Sequence, residues 1–182
     1  MKQDLLIIPI IIIIIITIFG SYKLIELSSY NSRISNLERY TYKQDEKNIK
    51  KINYNKKEYI ITNYLPKEQT YTNLNILFKN KEKYYLLKEI EKCDADTNTT
   101  YTKDNEIYIH CIGKEGNINK YTINEFEITE ELLVLSYDNV PKLSELHVIV
   151  EKIDNHDIYI KSLDTKAKCT INQYKYICEY HN

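Results

Sequence analysis

Between Leu5 and Tyr22 the chain carries no charged side chain, and residues 5–19 read LLIIPIIIIIIITIF. A run of this length reaches the threshold at which an α-helix crosses a bilayer, spanning ~27 Å at about 1.5 Å per residue. A buried core strand of fifteen such residues is far outside the ordinary length range. Pro9 falls in the first turns, where it frees few backbone groups. Tyr22 and Lys23 supply an interfacial aromatic and a snorkelling cation at the far end. A cleavable leader wants small residues in an A-x-A-like pattern, but Ile18-Phe19-Gly20 puts a bulky residue first. No cysteine directly follows the run, so a lipoprotein anchor is excluded. Residues 1–22 are therefore expected to be an uncleaved signal-anchor.

Flanking charges do not fix its orientation. Lys2 and Asp4 precede the span; Lys23, Arg33 and Arg39 follow it against Glu26 and Glu38. The positive-inside rule leans slightly toward an internal C-terminal part, but long domains translocate despite so small a bias. The cysteines arbitrate. Cys93, Cys111, Cys169 and Cys178 all lie after the span, and none forms a C-x-x-C pair, which argues against a zinc ribbon or a thioredoxin-like centre. Residues 167–172 and 174–180 look like the arms of a hairpin whose tight turn sets Cys169 opposite Cys178. Cys93 and Cys111 bracket the polar stretch DADTNTTYTKDNE at 94–106 and are placed to clamp its base. Two disulfides imply an oxidising compartment, hence a domain outside the cytoplasm of a cell or envelope membrane.

After the span, Leu27, Tyr30, Ile34 and Leu37 follow a 3-4-3 spacing, which predicts a short helical stalk over 23–44. Residues 43–58 are rich in Lys and Asn and read as a solvated connector. From there β signals dominate. Strands are expected at 57–63, 73–79, 106–112, 119–128, 132–137, 145–153 and 157–163, with 83–92 either helix or strand. In 106–112, Ile107, Ile109 and Cys111 alternate with Tyr108 and His110, placing His110 on an outer face. Within 119–128 the apolar phase changes between Ile123 and Phe126, as a bulge would require. Turns are expected at 114–117, around Asp138–Pro141 and at 154–156. The fold class is mainly β, an antiparallel sandwich-like or curled sheet, or an α+β variant, over residues 45–182.

Recognisable chemistry is sparse. With 25 basic and 26 acidic residues the chain has no nucleic-acid footprint, and three glycines leave no phosphate-cradling loop. His110, His147, His156 and His181 are isolated, without H-E-x-x-H or H-x-H spacing, and no serine sits in a G-x-S-x-G elbow. Neither catalysis nor a cofactor is indicated. Asp94, Asp96, Asn98 and Thr100 share the 1, 3, 5, 7 spacing of an EF-hand loop, but Thr99 replaces its glycine and Asn105 its closing glutamate. Asn98-Thr99-Thr100 is an N-glycosylation sequon in a eukaryotic or viral setting. Eighteen tyrosines with no tryptophan suit a recognition surface, with Tyr174, Tyr176 and Tyr180 expected on one face of the last strand beside Cys178.

An apolar N-terminal helix running into an amphipathic segment, then a β domain with a C-terminal disulfide, resembles the pilin family in outline. LIEL at 24–27 echoes it, although the Gly-Phe junction and the glutamate five residues into the apolar stretch are missing. The expectation is a single-pass anchored protein whose outer β domain binds or assembles another protein. Alternatives are a pilin-like or viral envelope subunit, or a secreted enzyme without a recognisable motif.

Overall fold

The computed structural model describes residues 4–67, 70–111, 117–140, 142–143 and 148–181, and of residues 4–10 the backbone alone. The expected turn at 114–117, Pro141, His147 and the start of the strand expected at 145–153 lie wholly or partly outside these residues. The chain divides into two compact units, residues 1–37 and 38–182.

The first unit is one helix, α1 (Asp4–Ser35). Within it, Ile11–Ser35 has a mean hydropathy of 1.9 and is long and apolar enough to cross a membrane. Side chains from Ile11 to Phe19 are exposed, as an all-round apolar helix must be without lipid around it. Its hydroxyls are turned inward: Thr17 Oγ1 donates to the Ile13 carbonyl and Ser21 Oγ to the Thr17 carbonyl, each at 2.8 Å. That leaves neither hydroxyl unsatisfied. Arg33 lies in the last turn, favourable to the helix dipole. Asn36 and Leu37 close the end with N–H bonds to the Arg33 and Ile34 carbonyls. The helix therefore stops at Ser35, short of the stalk expected over 23–44. Tyr40 explains the difference: it is a buried strand residue, paired with Tyr84.

Among the described residues, the second unit contains fourteen strands in three sheets. The first sheet has the order β1-β5-β4-β3-β2, formed by β1 (Arg39–Tyr40), β2 (Lys47–Tyr54), β3 (Lys57–Tyr64), β4 (Asn73–Asn80) and β5 (Lys83–Ile90). The ambiguous 83–92 is thus a strand. The Lys/Asn-rich connector expected at 43–58 is largely β2, an edge strand in which only Ile52 is fully buried. The middle sheet is β6 (Thr100–Lys103), β7 (Glu106–Ile109), β8 (Ile118–Asn124) and β9 (Glu127–Leu133) in sequence order. The phase change in 119–128 is a hairpin rather than a bulge: Asn124 pairs with Glu127, and Glu125 takes φ 58°. The third sheet runs β10-β14-β13-β12-β11, from β10 (Leu135–Ser136), β11 (Ile149–Asp154), β12 (Asp157–Ser162), β13 (Thr165–Asn172) and β14 (Lys175–Tyr180). The β10–β14 pair is parallel and the other described pairs are antiparallel.

The sheets stack with the middle one covered on both faces. Toward the first sheet it presents Ile107, Ile109, Tyr121 and Ile123, all fully buried. Phe126 meets Phe78 edge-on at 5.1 Å, and Lys88 pairs with Glu130 at 3.2 Å across that side. Toward the third sheet Tyr108, Ile118 and Leu133 join one core with Val150, Ile158, Ile160, Ala167, Cys169 and Cys178. This double burial overturns the outer-face reading of His110, which has no solvent exposure. Alternation marks a face as solvent only when a sheet has one open side.

Candidate functional site

Three turns close on one cleft of about 500 Å³. The β2–β3 turn contributes Tyr54, Asn55, Lys57 and Tyr59; the β6–β7 turn, Asn105; the β8–β9 hairpin, Thr122 to Glu125 and Thr129. Tight turns fall here because Asn55 and Lys56, at φ 49° and 61°, take the two left-handed positions of a two-residue hairpin loop. Asp104 and Glu125, at φ 51° and 58°, each supply one left-handed position in the other two turns.

The walls are pinned to one another. The Tyr59 hydroxyl donates to the Glu125 carbonyl at 3.0 Å, and Lys57 Nζ meets Glu125 Oε1 at 2.5 Å. Asn105 and Ile123 are doubly joined, the Asn105 amide donating to the Ile123 carbonyl and the Ile123 N–H to the Asn105 carbonyl, both at 2.8 Å. With Lys57 and Glu125 compensating each other, the described lining carries no net charge. Among the described residues, the Tyr54 phenol and the amides of Asn55 and Asn124 engage no other side chain or backbone group. Such groups are available to a ligand that both donates and accepts hydrogen bonds.

A second polar cluster covers the opposite face of the first sheet and has a structural role. Glu46 accepts hydrogen bonds from the Tyr40 hydroxyl (2.9 Å), the Lys43 N–H (2.8 Å), the Thr62 hydroxyl and the Asn75 amide (3.4 Å). Burial, then the adjacent Glu46 carboxylate, pushes the Tyr40 phenol above its ordinary value, so it stays a donor. Beside it, Tyr64 and Asn73 donate to Glu89. The Tyr64 hydroxyl above all holds that carboxyl below its usual range despite some burial. Lys43 Nζ sits 3.6 Å from the Tyr64 ring centroid, a short cation–π contact. Glu46 thus ties residues 40–43 to β3 and β4, while Glu89 ties β5 to Tyr64 of β3 and Asn73 of β4.

Cys93 is bridged to Cys111 and Cys169 to Cys178, the pairing that the spacing favours. The second bridge joins directly opposed residues of β13 and β14. The EF-hand-like spacing is an Asx turn instead: Asp96 Oδ1 accepts the N–H groups of Asn98 (2.7 Å) and Thr99 (3.0 Å). Thr100 is buried at the start of β6, and Asp94 accepts from the Thr72 hydroxyl at 3.2 Å. The four positions therefore do not converge, and no group of three or more His, Cys, Asp or Glu among the described residues is placed to hold a metal. His156 lies in the β11–β12 turn, while the His181 ring packs against Tyr159 at 5.2 Å. Of the three tyrosines expected on one face, Tyr176 packs into the core, Tyr180 is half-exposed and Tyr174 stands free at the β13–β14 turn. Sequence reasoning missed the cleft. Its only local signal was the pair of Asn-containing turns at 55 and 105, and their convergence is a property of the stacked sheets. Neither a protein-family model nor a curated protein sequence matches this chain.

Proposed function

We propose that this chain is a single-pass, membrane-anchored protein whose β domain stands outside the cytoplasm and serves as a binding module in surface assembly. One observation carries the reading. A β domain with all four cysteines in disulfides follows, in the chain, a helix apolar enough to cross a membrane. Disulfides persist in oxidising compartments, and a helix of this length and composition satisfies its backbone inside lipid. Exposed apolar groups support a protein partner: Val134, Ile171 and Tyr174 flank the β13–β14 turn, where the Tyr176 N–H bonds to the Val134 carbonyl. Aromatic and aliphatic side chains left in water at a turn are what such a partner would cover.

The test is alkaline extraction of membranes followed by non-reducing electrophoresis and thiol labelling. Retention in the membrane pellet with no reactive thiol supports the reading. A soluble chain with four free thiols overturns it. A mass loss of about 2 kDa, at ~110 Da per residue for a leader that ends after the span, replaces the anchor with secretion.

A further inference from the structure

We propose that the cleft enclosed by the β2–β3, β6–β7 and β8–β9 turns binds a neutral saccharide through Tyr54, Asn55 and Asn124. The proposal rests on the domain being a binding module, but not on where that module stands relative to a membrane.

Size, charge and donor set converge on that class. A cleft of about 500 Å³ falls within the usual range for small-molecule sites and has room for one or two pyranose rings. Among the described lining residues the charged ones are Lys57 and Glu125, which pair at 2.5 Å, and this disfavours phosphate, nucleotide or a metal cation. An apolar ligand is disfavoured because it would bury the Tyr54 phenol and the Asn55 and Asn124 amides unsatisfied. A carboxamide sets a donor beside an acceptor, and the phenol and the Thr122 hydroxyl each do both, while the Thr129 hydroxyl, which donates to the Thr122 carbonyl at 3.5 Å, adds an acceptor. That pattern matches vicinal hydroxyls, which present the same duality at the same spacing. The ring of Tyr54 supplies a flat apolar wall for the C–H face of a sugar. Preorganisation adds to this. The Tyr59–Glu125 and Asn105–Ile123 bonds hold the three turns in place before any ligand arrives, so little ordering cost attends binding.

The experiment is saturation-transfer NMR with titration on the full chain, solubilised in a zwitterionic detergent because glycosidic detergents would themselves compete. Probes are glucose, galactose, N-acetylglucosamine and cellobiose, with N-acetylneuraminic acid and inorganic phosphate as charged comparators. Saturable binding of at least one neutral sugar is expected at a Kd of about 1–10 mM. Tyr54→Ala and Asn124→Ala should each weaken it about tenfold, while Tyr159→Ala on the third sheet leaves it unchanged. Tyr54→Phe keeps the ring and its packing, so it isolates the hydroxyl if Tyr54→Ala lowers the melting temperature. No saturable signal from any neutral probe at about 20 mM overturns the proposal. So does binding that survives Asn124→Ala and Tyr54→Phe in folded variants, or tighter binding of either charged comparator. Membrane extraction of the same preparation reads the anchored-module proposal separately, so failure of one is distinguishable from failure of the other.

Discussion

Glu46 gathers four hydrogen-bond donors, from Tyr40, Lys43, Thr62 and the distant Asn75. Replacing it with Gln puts an amide N–H against hydroxyl and amide donors that need an acceptor. Glu46→Gln should cost about 1–3 kcal/mol, read as a lower denaturation midpoint with an unchanged slope; an unchanged midpoint would show the cluster to be dispensable. Acid should act on two other carboxylates. Glu89 is held down chiefly by the Tyr64 hydroxyl; Glu106, against the opposing effect of burial, by Tyr108 and Lys120. Groups depressed in the folded state stabilise it above their ordinary value of 4.5 and lose that contribution as pH falls through the folded value. Stability should therefore be flat above about pH 5 and decline below pH 4.5, with Glu89→Gln flattening part of the decline. The two bridges close loops of different length, with separations of 18 and 9 residues. In the chain-entropy account each contributes about 3 kcal/mol, the longer one slightly more. Paired serine substitution at Cys93 and Cys111 should then lower the melting temperature further than at Cys169 and Cys178. These four residues were legible in the sequence because parity and spacing leave few pairings. Glu46 was not, because its partners are scattered from 40 to 75.

At the scale of elements, what betrayed itself was burial, on both faces in β3 and β4 and on one in β12. Strands β3, β4 and β12 carry β-branched runs or clean alternation and stand where the pattern puts them. Strand β2 does not, because an edge strand needs little apolar surface and is protected by Lys47, Lys50 and Lys51. Converting Lys47 and Lys51 together to Val should produce concentration-dependent association by size-exclusion chromatography. A double variant eluting like the wild type would show that the β2 edge is guarded by something else. Strand β6 was hidden inside a stretch that composition marks as loop, since Thr100–Lys103 offers no apolar period of its own. Turn chemistry is similarly indirect. With three glycines in the chain, left-handed positions fall to Asp45, Asn55, Lys56, Lys81, Lys92, Asp104, Glu125, Asn155, Leu163 and Gln173. Of these, Lys56 completes an Asn-X hairpin loop whose best second residue is Gly. Lys56→Gly should raise stability by about 0.5–1 kcal/mol, measured by thermal melting. No gain would mean that the Lys56 side chain contributes an interaction of its own.

For the whole molecule, the 43% hydrophobic content is divided between a helix whose side chains from Ile11 to Phe19 are exposed and a domain that buries most of its described apolar side chains. Placing a lysine at Ile13 should abolish membrane retention, at a cost of about 2.5–3.5 kcal/mol per mid-span charge, while leaving the domain's melting temperature untouched. Retention of Ile13→Lys in the alkaline pellet would mean that something other than the span holds the protein there. The stacked arrangement of the domain has a consequence for how it comes apart. Because the β6–β9 sheet is a wall of both cores, neither outer sheet can peel away without wetting a surface that the other half needs dry. Such a domain should melt in one calorimetric transition, the van't Hoff and measured enthalpies agreeing. Its tolerance to substitution should be layered as well: permissive on the outward faces of the two flanking sheets, and narrowest at Ile107 to Ile109 and Ile118 to Ile123, where each neighbouring pair of side chains answers to a different interior.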